Sequence, residues 1–334
     1  AAAEGFLRLP AHLGGEEWSQ PRLSDEDSAR MLALTRATPE VNPVARRPHE
    51  VRARAACRER MISQGLEPYP ASTTVTASCS RALEGDGTRT VAGRVIGLRN
   101  HGSVLFADLR DWAGEVQVVL DRGSAPDALA GFQRLVRVGD QVAVTGVPGA
   151  SRNGTASLLA SGWSMTSKAL RPLPDKHRGL TDPEARVRQR HLALLTSPRQ
   201  RHLIEARSRA IQAVRGRLLE RGYLEVETPI LQPVHGGANA RPFRTHINAY
   251  DLDLYLRIAP ELYLKRLVVG GMDRVFEIGR NFRNEGADST HNPEFTMLEA
   301  YEAYGDYETM KTVIKDLVVA SAQAALGTTV VRGT

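Results

Sequence analysis

One stretch, RVFEIGRNFRNEGADSTHNPEFTMLEAYEAY at positions 274–304, concentrates the residues that could carry chemistry. It predicts two strands joined by a loop of Gly, Asp, Ser, His, Asn and Pro. Strand alternation places Arg283 and Glu285 on one face of the first strand. Alternating residues of the second strand share one face, namely Phe295, Met297, Glu299 and Tyr301.

This second face sets a carboxylate and a phenol among apolar neighbours. A buried Glu is costly unless it is paired. Two interpretations follow from the residues alone. Either Glu299 is neutralised by a partner such as Arg283, or the face forms a pocket for a cationic ligand.

The first half of the chain supplies a different set of elements. Period-2 alternation with glycine-containing turns predicts five short strands, at 91–98, 103–110, 115–120, 141–147 and 155–163. Strands of this length and spacing indicate a small β-barrel, and an OB-fold is the natural candidate. The stiff segment LRPLP at 170–174 then connects the barrel to the second half.

Helical patterns flank these strands. Residues 1–42 read as linker with one short helix at 24–36, and a basic helix is predicted within 43–65. That basic helix is either a solvated face or a contact for RNA. A long helix should end at Gly222 and another should close the chain at 307–326. The second half is therefore α+β.

Composition limits the class of protein. The 334 residues are 42% hydrophobic and 25% charged, with a formal net charge of +6, which is compatible with a polyanionic partner without requiring one. The only cysteines, Cys57 and Cys79, form no CxxC, which argues against a disulfide framework or zinc site and fits a reducing compartment. The sequence has neither a signal-peptide pattern nor an apolar run of the ~20 residues that a membrane span needs.

Several strings together resemble class II aminoacyl-tRNA synthetases. FRNE followed by HNPEF is similar to the second signature motif of that class, and GYLEVETP at 222–229 is similar to the first. The strings KALRPLPDK, GGANARPF and LRIAPELYLKRLVVGG resemble the lysyl enzymes in particular. The implied organisation is a linker at 1–42, a helix and connector at 43–80, an OB-fold anticodon-binding domain at 81–168 and the first part of a class II catalytic domain, an antiparallel sheet with flanking helices, at 169–334.

The resemblance assigns roles in ATP binding. Such enzymes join the carboxylate of lysine to the α-phosphate of ATP, and Arg283 matches the arginine that bridges the two groups, a bidentate role suited to a guanidinium. Phe295 matches the residue that stacks under adenine. The remaining ATP-binding positions of the motif fall in the loop, at Glu285, His291 and Asn292.

The resemblance also assigns a pocket for L-lysine. Glu261 and the backbone of Gly237 match the positions that bind the α-ammonium group, and Glu299 with Tyr301 match those that bind the ε-ammonium group. A structural role for Glu261, as a first-turn acid favoured by the helix dipole, stays open. The two Glu residues argue against the related aspartyl and asparaginyl enzymes, which bind an acidic or an amide side chain.

In the barrel, the resemblance places Phe106 and Gln117 where lysyl enzymes grip the anticodon of tRNA(Lys), with Arg94 nearby. An aromatic and a polar side chain on an OB surface can hold unstacked bases. A core Phe and an exposed Gln are the plain alternative. Thr155 stands where many lysyl enzymes have Glu, so anticodon recognition is expected to be weaker or differently arranged.

Class II synthetases contain further elements that are expected beyond position 334. The third motif and the carboxylates that bind Mg²⁺ should lie past Thr334, so no metal ligand is expected in this segment, and the segment alone should not form lysyl-adenylate. The family implies a homodimer through the first motif. Membrane association is expected only through upstream regions.

Three functions remain: the synthetase part of a bifunctional lysylphosphatidylglycerol synthase, a stand-alone lysyl-tRNA synthetase, or a non-catalytic RNA-binding paralogue. The first is preferred for three reasons. The linker of residues 1–42 has no match in the resemblance, Thr155 departs from the usual Glu, and the composition is rich in Arg and Ala. A lysine ligase that modifies a protein is disfavoured, because such paralogues typically lack the barrel. The expected location is the cytoplasm, or the cytoplasmic face of the plasma membrane for the bifunctional protein.

Overall fold

The computed structural model describes residues 48–174, 179–288 and 290–330. The chain divides into two compact units, Ala1–Thr196 and Ser197–Thr334, and the predicted helix at 24–36 lies outside the described residues. In the described part, none of the helices combines the length and the apolar character that crossing a bilayer demands.

The first unit is built on a closed five-stranded barrel with the order β1-β2-β3-β5-β4. All five predicted strands are confirmed, with ends that differ by a few residues. Their bounds are β1 Arg89–Asn100, β2 Val104–Arg110, β3 Glu115–Asp121, β4 Gln141–Ala150 and β5 Ala156–Ser167.

Alternation decides which side chains fill the barrel. In β2, Leu105, Ala107 and Leu109 are buried in the barrel core, whereas Phe106 and Asp108 face outward and are half-buried. This is the period-2 pattern of a strand with one buried face. Phe106 is therefore not a core residue.

Helices close the barrel core. The predicted basic helix is confirmed as α1, Pro48–Ser63, and it buries Cys57 and Met61 in that core. The sequence analysis missed α2, Pro126–Leu135, which begins at a proline and packs Phe132 edge-on against Trp163 at a ring-centroid distance of 5.3 Å. Two short helices, α3 Pro183–Arg188 and α4 Arg190–Thr196, end the unit.

The second unit holds two small sheets. One has the order β11-β10-β6 and the other β7-β9-β8. The strands are β6 Leu224–Glu225, β7 Leu231–Gln232, β8 Arg244–Ile247, β9 Leu252–Leu256, β10 Arg274–Phe282 and β11 Glu294–Glu302, and the helices are α5 Pro198–Glu220, α6 Glu261–Val269 and α7 Tyr307–Leu326. The hairpin of β10 and β11 is antiparallel, whereas β6 joins β10 in parallel. The predicted closing helix is confirmed at both ends.

One face of the hairpin forms the core of this unit. Phe276, together with the half-buried Ile278 and Leu298, packs against Leu218 of α5 and Val313 of α7. Because strand residues alternate, the opposite face turns away from the two helices and is free to carry polar groups. We call this opposite face the site face, and its residues are Val275, Glu277, Gly279, Asn281, Phe295, Met297, Glu299 and Tyr301.

One local prediction is wrong. Arg283 and Glu285 were expected on the first strand, but β10 ends at Phe282 and both residues lie in the segment that follows it. The backbone N–H of Arg283 still donates to the carbonyl of Pro293 at 2.9 Å. The ladder pairing therefore continues for one step while the chain already turns into the loop.

Candidate functional site

Glu299 lies half-buried at the centre of the site face. The hydroxyl of Tyr301 donates a hydrogen bond to its Oε2 at 3.1 Å. Burial raises the pKa of Glu299 above its ordinary value, and the negative charges of Glu261 and Glu277 raise it further. Burial and the neighbouring Glu299 likewise raise the pKa of Tyr301, which stays a neutral donor. The pair thus offers a cation a carboxylate backed by a phenol.

Arg283 is not the partner of Glu299. Among the described residues no ion pair joins them, and the guanidinium carbon of Arg283 lies 5.1 Å from the ring centroid of Phe295. Its Nε is buried and has no hydrogen-bond partner. A buried donor without a partner calls for an acceptor from a ligand or water, and an anionic ligand satisfies it best. The neighbouring Arg283 and Phe295 suit a phosphate and a flat ring respectively.

Glu261 and Gly237 meet beside Glu299. Glu261 is the first residue of α6, as predicted, and its Oε1 accepts from Nζ of Lys265 at 2.6 Å. Gly237 has φ +86°, and a Cβ built on it would lie 2.8 Å from Cβ of Glu261. Only glycine combines that backbone conformation with such a close approach. The backbone at Gly237 is therefore held directly against the Glu261 side chain.

Glu285 ties the segment after β10 to a distant loop. Its Oε1 accepts from the backbone N–H of Arg241 at 3.2 Å, and the backbone N–H of Asn284 donates to the carbonyl of Arg241 at 2.7 Å. Arg241 belongs to the GGANARPF string, so two strings of the resemblance are joined by these bonds. Glu285 shapes the site through this contact in addition to any contact with a ligand.

The loop between the strands is organised by Asp288, a residue that the sequence analysis did not select. Its Oδ1 accepts from the backbone N–H groups of Thr290 and His291 at 2.7 and 2.8 Å, and its Oδ2 lies 2.9 Å from Nδ1 of His291. These hydrogen bonds lower the pKa of Asp288 well below its usual range. His291 and Asn292 are exposed on the same loop, where a ligand can reach them.

A buried ion pair lies under the site face, and it too was missed. Nη1 of Arg257 donates to Oε1 of Glu277 at 2.5 Å, and both side chains are almost fully buried. The hydroxyl of Thr228 donates to Oε2 of the same carboxylate at 2.6 Å. The only signal in the sequence was an arginine directly after the apolar strand LDLYL, which does not by itself predict a buried pair.

The first unit carries a second candidate site, a groove of about 980 Å³ on the outer surface of the barrel. Phe106 and Gln117 both line it, together with Arg99, His101 and Ser103. The rings of His101 and Phe106 meet edge to face, with centroids 5.9 Å apart. The groove therefore combines an aromatic platform with polar and cationic side chains, as a binding surface for single-stranded nucleic acid requires.

The predicted RNA-binding residues Gln117 and Arg94 differ in whether they line this groove. Oε1 of Gln117 accepts from the hydroxyl of Ser157 at 2.9 Å, so Ser157 fixes the amide. Arg94 does not line the groove, and its Nη1 donates instead to the carbonyl of Gly139 at 2.6 Å. Arg99 is the cross-strand neighbour of Phe106. The role of Arg94 in RNA binding stays a prediction. Arg99 and Arg152 both line the groove, and the guanidinium of Arg99 is ion-paired with Asp108 at 2.7 Å, whereas Arg152 is exposed.

No group of three His, Cys, Asp or Glu side chains within 48–174, 179–288 and 290–330 is arranged to hold a metal ion. That the Mg²⁺ ligands lie beyond Thr334 stays a prediction.

Comparison with known proteins agrees with this geometry. Residues 182–331 match the family described as tRNA synthetases class II (D, K and N). Residues 90–165 match the OB-fold nucleic acid binding domain. The OB-fold predicted from the strand pattern and the class II domain predicted from the motifs are both confirmed.

Full-length relatives are similar over nearly the whole chain. A lysylphosphatidylglycerol biosynthesis bifunctional protein LysX from Gordonia bronchialis is 48% identical over 98% of this chain and 29% of its own length. Proteins of the same name are 55% identical over 84% of this chain in Mycolicibacterium vanbaalenii and 49% identical over 97% in Mycobacterium sp. strain KMS, where they are covered over 26% and 31% of their lengths. The chain thus spans less than a third of each of these relatives.

Proposed function

We propose that this chain is part of an enzyme that activates L-lysine with ATP and transfers it to tRNA(Lys), because residues 182–331 match the class II tRNA synthetases and residues 90–165 match the OB-fold nucleic acid binding domain. We propose further that the Lys-tRNA supplies lysine for lysylphosphatidylglycerol, since the relatives at 48–55% identity are named for that biosynthesis. The same polypeptide would then contain a second activity outside this chain. ATP and tRNA place the reaction in the cytoplasm or at the cytoplasmic face of the membrane.

One observation carries the choice of substrate. Glu299 is a half-buried carboxylate that accepts a hydrogen bond from Tyr301 and forms no ion pair among the described residues. Such a group is costly unless a ligand brings the missing positive charge. The ε-ammonium of lysine supplies it. A neutral or acidic side chain would leave Glu299 unbalanced, and this difference favours lysine over the substrates of related enzymes.

The second ammonium group of lysine has its own partner. Glu261 and the backbone of Gly237 lie beside Glu299 and would bind the α-ammonium. The competing contact of Glu261 with Lys265 is weak, because the Lys265 side chain is more than half exposed to solvent. Two carboxylates separated along the pocket thus suit a diamine such as lysine.

The activation step is an in-line displacement at phosphorus. A carboxylate oxygen of lysine forms a bond to the α-phosphorus of ATP, the bond to the bridging oxygen breaks, and pyrophosphate leaves with the electron pair. Arg283, whose buried Nε awaits an acceptor, would stabilise the negative charge that develops on the phosphate. Phe295 would hold the adenine ring, and Glu285, His291 and Asn292 would hold the nucleotide at the loop. The contribution of the protein is positioning and charge stabilisation.

The barrel groove supports binding of the tRNA anticodon. Phe106 offers a stacking surface, and Gln117, fixed by Ser157, offers polar atoms to a base edge. We also propose a homodimer through the segment at 222–229, on the family resemblance alone.

The decisive experiment is lysine-dependent exchange of pyrophosphate into ATP by the full-length polypeptide that contains this chain. Wild type should catalyse exchange with lysine, and Glu299→Gln should lose at least ~100-fold in kcat/KM, because an interaction with a charged group of ~3 kcal/mol is removed. Glu308→Gln, at an exposed position of α7, should leave the exchange unchanged. Absence of exchange in wild type would overturn the proposal in favour of a non-catalytic RNA-binding protein.

A further inference from the structure

Glu277 and Glu299 are opposed to each other across the hairpin. They are direct partners in the antiparallel register of β10 and β11, so both side chains project from the site face. Like charges in such a pair destabilise each other. Glu277 is 4% exposed and Glu299 is half-buried, so water does little to screen the repulsion. Another group must balance one of the two charges.

Arg257 balances Glu277. Its Nη1 donates to Oε1 of Glu277 at 2.5 Å, and the Arg257 side chain is almost completely buried. The same guanidinium donates to the backbone carbonyls of Arg280 at 2.9 Å and of Thr228 at 3.2 Å. Because groups on two separate segments, β10 and the loop at Thr228, hold it, the guanidinium is fixed on Glu277 and is not free to move across to Glu299.

Gly279 makes room for this arrangement. A Cβ at Gly279 would lie 2.1 Å from Nη2 of Arg257 and 3.0 Å from Oε1 of Glu277. The guanidinium therefore lies directly over the backbone of β10, on the same face as Glu299. The close approach of Arg257 is what requires glycine at this position. The backbone conformation does not require it, because the φ of Gly279 is not in the left-handed region.

Among the described residues, no cation is bonded to Glu299. Tyr301 donates a neutral hydrogen bond, and Glu261 adds a negative charge that Lys265 partly offsets. The positive charge of Arg257 acts on Glu299 as well, but Arg257 is bonded to Glu277 and Lys265 is bonded to Glu261. The uncompensated charge of the pocket is located on Glu299.

We propose that Arg257 and Glu277 are positioning residues that set the charge of Glu299. The buried pair removes the repulsion that a second unpaired carboxylate would exert on Glu299, and it thereby favours the ionised form of Glu299. The pocket then accepts a substrate side chain that ends in an ammonium group. This inference rests on the proposed function for the identity of the substrate, whereas the charge relation itself can be measured without catalysis.

Two variants should shift the titration of Glu299 in opposite directions. Arg257→Met leaves Glu277 unbalanced beside Glu299, so the midpoint should move to higher pH. Glu277→Gln leaves the guanidinium unbalanced, so the midpoint should move to lower pH. The midpoint is read from the side-chain carboxyl carbon of Glu299 by NMR of the ¹³C-labelled chain, assigned with Glu299→Gln. A shift of about one pH unit is expected in each case.

Controls separate this effect from a general loss of structure. Arg257→Lys keeps the charge, so its midpoint should lie close to that of the wild type. Glu308→Gln, on the exposed surface of α7, should not move the midpoint. Glu277→Gln has nearly the same shape as the native residue, so it tests the inference even if Arg257→Met does not fold. Shifts of the same sign in both charge variants, or no shift in Glu277→Gln, would overturn the inference.

The exchange reaction provides the second readout. The KM for lysine should rise as the pH falls through the midpoint of Glu299. The pH at which this rise occurs should move with the NMR midpoint in each variant. The KM for ATP should not show this dependence. If the two variants shift the midpoint in opposite directions but the wild type shows no lysine-dependent exchange, the proposed function is wrong and the charge relation still holds. If the enzyme catalyses exchange but the pH dependence of its KM for lysine is the same in both variants as in the wild type, only the inference is wrong.

Discussion

At the scale of the residue, the candidate pocket depends on how closely a few groups approach each other. Glu299 has a hydrogen bond from Tyr301, and Glu261 is pressed by the backbone of Gly237. Both contacts act only over a short distance, and each fixes where an ammonium group of the substrate can bind. The position of a carboxylate matters here as much as its presence.

Gly237→Ala should weaken lysine binding. The new methyl would lie 2.8 Å from Cβ of Glu261, and the residue has φ +86°, so Glu261 must move. We expect the KM for lysine to rise roughly tenfold or more, equivalent to ~1.4 kcal/mol, with little change in the KM for ATP. Pyrophosphate exchange by the full-length polypeptide measures both values.

Gly271→Ala is the matched control. Gly271 has φ +95° and no heavy atom within 4 Å of its built Cβ, so the substitution brings the same backbone strain without a clash. It should lower the unfolding temperature about as much as Gly237→Ala and leave the KM for lysine unchanged. Equal effects of the two variants on lysine would mean that strain, and not the contact with Glu261, is responsible.

At the scale of the element, the barrel shows how a strand pair produces a binding surface. In β2 and β3 the inward residues fill the core, and the outward Phe106 and Gln117 are left to line the groove. The same alternation in the hairpin of β10 and β11 gives one apolar face for the helices and one site face. Both sites follow from period-2 geometry acting on a two-sided sheet.

Phe106→Ala should reduce affinity for tRNA(Lys). Loss of a stacking partner costs ~1–3 kcal/mol per base, so we expect binding to weaken at least about fivefold, measured by fluorescence anisotropy with labelled tRNA. Trp112→Ala, which removes an aromatic side chain that is 70% exposed and lies outside the groove lining, serves as the control. Unchanged affinity in Phe106→Ala would reject the groove as the RNA site.

At the scale of the whole molecule, an excess of positive charge accompanies the two matched families. The chain carries 44 Lys and Arg against 38 Asp and Glu, and it contains both an OB-fold match and a class II match. A small net charge does not prove a polyanionic partner. Together with an aromatic groove that is lined by Arg99 and Arg152, it supports binding to the phosphate backbone as well as to bases.

Affinity for tRNA should therefore depend on salt. Each phosphate neutralised by Lys or Arg releases counterions, so the logarithm of the binding constant should fall linearly with the logarithm of the salt concentration. Anisotropy titrations between about 50 and 200 mM salt would give the slope. Arg152→Gln, which removes an exposed arginine of the groove lining, should make the slope shallower. Arg188→Gln, which removes an exposed arginine of α3, should change it less. A tRNA affinity that is independent of salt would contradict this account.

The sequence by itself determined the elements and the family. Alternation located five barrel strands and helical spacing located the closing helix at 307–326, because both patterns are local and repeat along the chain. The long strings around Arg283 and Pro229 identified the class II synthetase half, which the family match confirms. The helix α2 was missed because its three buried residues are too few to stand out from the flanking strands.

Only the tertiary structure decided which groups are partners. The local pattern allowed Arg283 to neutralise Glu299. In the folded chain Arg283 lies over Phe295, and Arg257 is bonded to Glu277, the cross-strand partner of Glu299. That pair joins residues 20 positions apart in sequence through segments that meet only in the folded chain. Charge balance in a pocket depends on distance in space and on burial, and a linear pattern contains neither.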